Sequence, residues 1–485
     1  MNLTGSIARA SFRDAGELLA TSGKVPARTR VPFDYSVDRG GGAVARWDPP
    51  RALLPSDATG PIVDAMRALR CRERSVVDLV AESIDHLAAA TELGGVVAIC
   101  DDARRRADAL DAELAAGLDR GPLHGVPITV KDVIDVAGVP TRAGSEAYDD
   151  VPFEDAVSVA RLEAAGAIVV AKASTHEFAL GVTSPQSRNP RDPSRIPGGS
   201  SGGSVVCVVT GAGLGSLGTD TRASIRVPAA LSGAVGLKPT YGRIPTDGVL
   251  TLSWTMDHVA PLAMTVTDAA LMLDAMLGGS SHLAWTASRG LEGTRIGLVT
   301  AGLEGADAGV TSCFEQAVAM LYHAGCAVKE TGSPNATDLA VANAAGLVVS
   351  RCEAASAHKA LGLDRSLYWE EVRDQLDAAD AITAVDYLDA QRVRAELRER
   401  MRACFLDHDL LVMPTAPVVA PPAEDFADYL MLLARNAIPW SLVGFPAISV
   451  PIGTVGDLPI GIQLVAPPDG EARLVEVGRA LERFL

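Results

Sequence analysis

The spacing of apolar residues is helical in the first part of the chain, from Pro61 to Gly117. Ile62, Met66 and Leu69 recur every three or four positions, and later apolar residues of this stretch keep the same spacing. Such spacing places apolar side chains on one face of a helix. The pattern therefore predicts helices over 61–117 that pack on one side of a sheet.

Short apolar runs appear after Gly125 and alternate with helical segments, as in α/β folds. Strands are predicted at Val126–Val130, Ala167–Ala171, Arg295–Thr300, Leu410–Met413, Ala447–Ile452 and Pro459–Val465. Helices are predicted at Ser158–Ala165, Ser312–Ala324, Thr383–Phe405 and Glu471–Leu485. No repeat with a period of roughly 20 to 50 residues and no linker divides the chain after residue 60. The pattern therefore predicts a single domain over 59–485.

Residues 1–58 differ from the rest of the chain because they are rich in Arg, Gly, Pro and Asp. Runs such as Arg-Gly-Gly-Gly at 39–42 and Asp-Pro-Pro at 48–50 break regular structure. The segment is either a partly ordered N-terminal arm or an extension that contacts the other protomer of a homodimer. The sequence leaves both interpretations open.

The balance of charges argues against a nucleic-acid partner. The net charge of the 485-residue chain is −17, whereas nucleic-acid binding requires a basic footprint. The seven cysteines are dispersed without a Cys-x-x-Cys pair, which predicts free thiols in a reducing compartment and no metal site. There is no secretory signal pattern and no apolar run of about 18 residues that could span a bilayer. We therefore expect a cytoplasmic protein without a membrane partner.

A glycine-rich tract and two nearby polar residues are the candidates for chemistry. The tract Gly-Gly-Ser-Ser-Gly-Gly (198–203) lets the backbone adopt positive φ angles and approach other groups closely. Ser224 lies in a turn shortly before Pro228, and Lys131 ends an apolar run. A linker and a plain turn are the structural alternatives, and a phosphate loop lacks its lysine. The remaining interpretation is a serine nucleophile that is activated by a group other than histidine.

These blocks together resemble the amidase signature family, whose pattern is Gly-Gly-Ser-Ser-Gly-Gly followed by Gly-Thr-Asp-Thr-x-x-Ser-Ile-Arg-x-Pro. The resemblance extends from about residue 60 to the C-terminus and includes the blocks 121–132, 233–240 and 444–451. It implies an α/β fold with a large central mixed β-sheet covered by helices on both faces. It also implies that 205–209 is a helix, although its β-branched residues favour a strand. No cofactor is implied, and we expect a small-molecule amide as substrate.

The resemblance also assigns roles to three residues: Ser224 as nucleophile, Ser200 as proton relay after a cis peptide bond, and Lys131 as base. A lysine acts as a base only when it is neutral, and its free pKa is about 10.4. Lys131 must therefore be buried in apolar surroundings. Asp132 would oppose this unless it points away, as alternation along a strand predicts. Ser201 is a supporting hydroxyl and the rival relay.

The backbone N–H groups of Thr221, Arg222, Ala223 and Ser224 are predicted to form the oxyanion hole. The family more often has Gly-Gly where this chain has Arg222 and Ala223. The presence of two non-glycine residues indicates ordinary φ angles at these positions. The Arg222 side chain either meets a substrate carboxylate or carbonyl, or faces solvent, and the sequence leaves both open.

Other polar and aromatic residues receive structural assignments. Asp220 and Arg226 are predicted to hold the turn around Ser224 by hydrogen bonds. The histidines of the helical region are predicted to be surface or structural groups, and a core role is favoured over an acyl-pocket role for three aromatic residues. These residues are His86, His124, Trp254, Tyr368 and Trp440.

The sequence thus predicts a cofactor-independent amidase that forms an acyl-enzyme at Ser224. A glutaminase subunit of a tRNA-dependent amidotransferase and a non-catalytic binding protein on the same scaffold remain as alternatives. An aliphatic amide, an aryl amide, a carbamate, a hydrazide and an ester would all suit the predicted acyl-transfer site.

Overall fold

The computed structural model describes residues 54–55, 58–279, 282–285 and 290–484. The predicted N-terminal arm, 1–58, falls almost wholly outside these residues. The role of that segment and the domain boundary after it therefore stay predictions. Among the described residues, no helix combines the length and apolar content needed to cross a bilayer.

In the described part of the chain, eleven strands form one mixed sheet, which confirms the predicted fold class. In chain order they are β1 Val96–Ile99, β2 Pro127–Lys131, β3 Ile168–Ala173, β4 Gly215–Thr219, β5 Val235–Lys238, β6 Val259–Ala263, β7 Arg295–Leu298, β8 Ala327–Glu330, β9 Leu410–Pro414, β10 Ala447–Val455 and β11 Leu458–Val465. Their order across the sheet is β1-β3-β2-β4-β6-β5-β10-β11-β9-β7-β8.

Parallel and antiparallel pairs are both present in the sheet. β2 pairs in parallel with β3 and β4, and β7 pairs in parallel with β8 and β9. The six remaining pairs are antiparallel. Every residue of β2, β3, β4, β5, β6, β9 and β11 is buried. Burial on both sides of consecutive residues means that both faces of the central sheet are covered.

Fourteen α-helices lie in the described residues. They are α1 Pro61–Arg70, α2 Val76–Glu92, α3 Ala103–Ala115, α4 Val157–Ala164, α5 Gly202–Val209, α6 Arg226–Ser232, α7 Val266–Met276, α8 Ala308–His323, α9 Ala336–Leu361, α10 Glu370–Ala379, α11 Ala384–Ala403, α12 Leu430–Ala434, α13 Ile438–Val443 and α14 Glu471–Glu482. The helix predicted for 205–209 is confirmed as α5, which begins at the glycine-rich tract.

The predicted strands and helices are confirmed with shifted ends. Within the region predicted as helical, however, β1 is a short strand at the edge of the described sheet, where it pairs with β3. A run of four residues is too short to show a strand period beside longer helices. The predicted strand at 295–300 ends at Leu298, and a 3₁₀ turn follows it at Thr300–Leu303.

Most of the structural assignments of single residues are confirmed. Trp440 is fully buried and Tyr368 is nearly so, in two different core clusters. His124 is buried and accepts a hydrogen bond from the backbone N–H of Arg120. The core role expected for Trp254 is wrong, since 46% of this residue is exposed in the loop before β6. All seven cysteines are free.

Candidate active site

The ends of β2 and β4 position the centre of the site. These strands are neighbours and run in parallel, so their carboxyl ends meet at the same edge of the sheet. Lys131 is the last residue of β2 and Thr219 the last of β4. The segment 220–225 follows the end of β4 directly. The glycine-rich tract, which precedes α5, contacts the end of β2 through Ser200.

Lys131 is completely buried and is held by two hydroxyl groups. Its Nζ lies 2.7 Å from Oγ of Ser200 and 2.8 Å from Oγ1 of Thr219. Burial lowers the pKa of Lys131 to about 7, although the charges of Asp220 and Asp257 act in the opposite direction. A fraction of about one half of Lys131 is therefore neutral near pH 7, the form that a base requires.

Asp132 points away from Lys131, as strand alternation predicted. Its Oδ1 lies 3.1 Å from Nζ of Lys172, which is also buried. Asp132 thus neutralises a different lysine, and its charge is not among those that act on the pKa of Lys131.

The glycine-rich tract is a closely packed turn and not a linker. The peptide bond between Gly199 and Ser200 is cis, and Gly198 has a φ of 82°. A Cβ atom on Gly199 would lie 2.0 Å from the carbonyl oxygen of Thr183, so no larger residue fits there. The carbonyl oxygen of Ser200 accepts hydrogen bonds from the backbone N–H of His176 and from the hydroxyl of Ser184.

Ser201, the rival relay, faces the backbone of β4 and not the lysine. Its hydroxyl donates to the carbonyl oxygen of Thr219 at 3.1 Å, and its backbone N–H donates to the carbonyl oxygen of Ser224 at 3.3 Å. These two bonds tie the glycine-rich tract to the end of β4 and to the turn that carries Ser224. Lys131 contacts Ser200 instead, so the geometry favours Ser200 as relay.

The turn before α6 is fixed by an ion pair, as predicted. Nε and Nη2 of Arg226 lie 2.9 and 3.0 Å from the two carboxylate oxygens of Asp220. Arg226 also donates to Gln463 and Ser441. Burial opposes ionisation of Asp220, but the nearby guanidinium outweighs this and holds the pKa of Asp220 below its usual value. The pair is fully buried.

Ser224 lies two residues before α6 and is 5% exposed. Within the described part of the chain its hydroxyl makes no hydrogen bond, so none joins it to Ser200. Lys131 and Ser200 are in direct contact, whereas Ser224 is joined to them through the backbone bond from Ser201.

The four predicted oxyanion-hole residues share an unusual backbone feature. Over the residues described, none of the N–H groups of 221–224 donates a hydrogen bond. These residues are all buried, where an N–H group is normally paired. Arg222 and Ala223 are not among the residues with positive φ, which confirms the expectation of ordinary angles. Among the described residues, these four N–H groups therefore have no acceptor.

The buried carboxyl group of Asp257, which was not predicted from the sequence, accepts a hydrogen bond from this turn. Oγ1 of Thr221 donates to Oδ1 of Asp257 at 2.6 Å, and the backbone N–H groups of Leu252 and Ser253 donate to its other oxygen. Burial raises the pKa of Asp257 to about 7. Asp257 lies two residues before β6, which is the neighbour of β4 in the sheet, and this adjacency indicates its role.

Thr219 and Arg351 are the other residues near the site that the sequence analysis missed. Thr219 belongs to the Gly-Thr-Asp-Thr block, and its position at the end of a strand beside β2 was the available signal. Arg351 lies on α9, far along the chain and outside any quoted motif. The solvent-facing alternative for Arg222 is wrong, because this residue is only 8% exposed.

Comparisons with known proteins agree with this architecture. The family profile described as "Amidase" matches residues 78–475. A glutamyl-tRNA(Gln) amidotransferase subunit from Anaeromyxobacter dehalogenans is 36% identical over 85% of this chain and 93% of its own length. An amidase of Pseudomonas putida is 34% identical over 87% of this chain and 95% of its own length. A crystal structure of an amidase superposes with a TM-score of 0.81 at 35% identity, covering 87% of this chain and 99% of that one.

The fold and the comparisons define a hydrolase of carbon–nitrogen bonds by class. Within that class, the chain belongs to the amidase signature family. In the part of the chain that the structure describes, no group of three or more His, Cys, Asp or Glu side chains could hold a metal ion.

Proposed function

We propose that the protein is an amidase that hydrolyses a small carboxylic amide through an acyl-enzyme at Ser224. One observation carries the proposal: a buried lysine with a pKa near 7 contacts Ser200 beside a turn with four free N–H donors. Such a site combines a base, a hydroxyl relay and an oxyanion hole, which are the groups that acyl transfer requires.

The first half of the reaction forms the acyl-enzyme. Oγ of Ser224 attacks the amide carbon while its proton passes to Oγ of Ser200, whose own proton moves to the neutral Nζ of Lys131. The carbonyl oxygen becomes an oxyanion and accepts hydrogen bonds from the N–H groups of 221–224. Lys131 then returns its proton through Ser200 to the leaving nitrogen, and the C–N bond breaks.

The second half repeats these transfers with water. Water attacks the ester of Ser224, its proton passes through Ser200 to Lys131, and collapse of the intermediate returns that proton to Oγ of Ser224. The carboxylic acid leaves and the enzyme is restored. Catalytic hydrogen bonds are often completed only when substrate is bound, and we expect the Ser200–Ser224 contact to form in that state.

Labelling of the nucleophile tests the proposal directly. A fluorophosphonate probe should modify Ser224, and peptide mass spectrometry should locate the adduct there. Ser201→Ala should still be labelled, whereas Ser224→Ala should not. Labelling of another serine, or none in a protein that is folded by circular dichroism, would refute the assignment.

A glutaminase component of an amidotransferase is the second candidate, because several curated relatives are named as glutamyl-tRNA(Gln) amidotransferase subunits. The purified chain alone should release ammonia or an amine from simple amides if it is a free-standing amidase. Release that requires further protein chains and tRNA would favour the second candidate. A chain that binds amides and hydrolyses none under either condition would be a binding protein. Gel filtration of the same sample tests the predicted homodimer.

A further inference from the structure

Two buried arginines, Arg222 and Arg351, form no ion pair with a carboxylate among the residues that the structure describes. Arg222 lies two residues before Ser224 and is 8% exposed. Its Nε is buried without a hydrogen bond, and within the described chain its guanidinium forms no ion pair. Arg351, on α9, is 4% exposed, and its Nε is also buried without a partner.

The two guanidinium groups are close enough for their charges to interact. Burial lowers the pKa of Arg351, and the charge of Arg222 lowers it further. Nη2 of Arg351 donates to the carbonyl oxygen of Leu180 at 3.1 Å. Leu180 follows the 3₁₀ turn after His176, whose backbone N–H is bonded to the carbonyl oxygen of Ser200. Arg351 therefore contacts the segment that borders the proposed relay.

Within the described residues, no carboxylate forms an ion pair with either guanidinium group. Glu371 offsets part of the charge of Arg351, but its carboxylate lies 3.7 Å from Nε2 of His176. Arg226 shows how a structural arginine is held in the same turn, since it pairs with Asp220 and donates to several further acceptors. Burial of two cations without such partners lowers the stability of the folded protein. An anion bound between them would offset this loss.

We propose that Arg222 and Arg351 bind a carboxylate of the substrate, so the preferred substrates are amides that carry a carboxylate on the same molecule. The inference rests on the proposed amidase function. Guanidinium groups present paired N–H donors whose geometry matches the two oxygens of a carboxylate. The position of Arg222 beside the nucleophile turn places this carboxylate a short distance from the scissile bond. It belongs either to the acyl part or to the leaving amine.

Matched pairs of charged and neutral amides test the proposal. The half-amides of succinic, glutaric and adipic acid carry the carboxylate on the acyl part, and butyramide, valeramide and hexanamide are their neutral counterparts. N-acetyl amino acids carry the carboxylate on the leaving amine, and their methyl esters are the neutral counterparts. We expect kcat/KM to be at least about 10-fold higher for the charged member of one series, as for a charged hydrogen-bonded pair. Equal values in both series would overturn the proposal.

Variants of Arg351 separate charge recognition from structural support. Arg351→Met should lower kcat/KM for the charged substrate by about 10- to 100-fold and leave the neutral amide within about 3-fold. Arg351→Lys should retain part of the preference. Arg402→Met, which removes an exposed guanidinium from α11, is the matched control and should change neither value. An equal loss on both substrates with Arg351→Met would show that Arg351 is only structural.

A binding measurement distinguishes failure of this proposal from failure of the amidase function. Glutarate should bind the Ser224→Ala protein in calorimetry, and Ser224→Ala with Arg351→Met should bind it at least about 10-fold more weakly. Glutarate binding without hydrolysis of any amide would retain the carboxylate site and reject the amidase. Hydrolysis of neutral amides without glutarate binding would reject the carboxylate site and retain the amidase.

Discussion

The pH dependence of kcat/KM is the most direct test of Lys131 as a base. The perturbation is a change of pH with a substrate that does not itself ionise, such as a neutral amide. Burial lowers the pKa of Lys131 from 10.5 to about 7, which corresponds to about 5 kcal/mol in favour of the neutral form. At pH 7 about half of the enzyme then has a neutral lysine, and at pH 5 about one hundredth does.

We therefore expect kcat/KM to rise with pH through about 7 and to fall about 10-fold for each pH unit below 6. Initial rates over a pH series give the profile, and circular dichroism at each pH excludes unfolding as the cause of the acid limb. Lys131→Arg should be inactive at every pH, because an arginine side chain is not deprotonated in proteins. Full activity at pH 5, or an active Lys131→Arg enzyme, would refute the assignment of the base.

Three further predictions concern the groups around this lysine. Ser224→Ala should reduce kcat at least about 10⁴-fold while Tm stays near that of the unmodified protein; measurable turnover in the variant would reject Ser224 as nucleophile. Thr219→Val removes a hydroxyl that stabilises the charged form of Lys131, so the acid limb should move to lower pH, and an unchanged limb would contradict the contact. Arg226→Met leaves Asp220 buried without its partner. Urea denaturation should show a free energy of unfolding lower by about 3–5 kcal/mol. A loss below about 1 kcal/mol would show that the pair is not isolated from water.

The sequence was sufficient to predict the parts of the site that depend on local patterns. A lysine at the end of an apolar run indicated a strand end, and the glycine-rich tract indicated a close turn, which the contact between Gly199 and Thr183 explains. The helix over 205–209 needed the family resemblance, because β-branched residues favour a strand. Here the close packing of the glycine-rich tract at the start of α5 outweighs local preference.

The sequence could not predict contacts between segments that lie far apart in the chain. Asp257 meets Thr221 only because β6 is the neighbour of β4 in the sheet. α9 was not predicted; 16 of its 26 residues are buried, and the run from Ala344 to Arg351 is buried on all sides of the helix. A helix buried in this way lacks the clear polar face that sequence patterns detect. Arg351 was missed for the same reason.

α9 belongs to a different part of the chain from the residues proposed to carry out the reaction. The proposed base lies at the end of β2 and the proposed nucleophile in the turn that follows β4, and these two strands are fixed by pairing within the sheet. α9 lies outside the sheet and reaches the same region with a side chain from a separate part of the sequence. Under the proposed role of Arg351, substitutions on the inner side of this helix would alter which molecules are accepted without displacing the strands next to the site. A related chain could acquire a new substrate in this way while its chemistry stays the same.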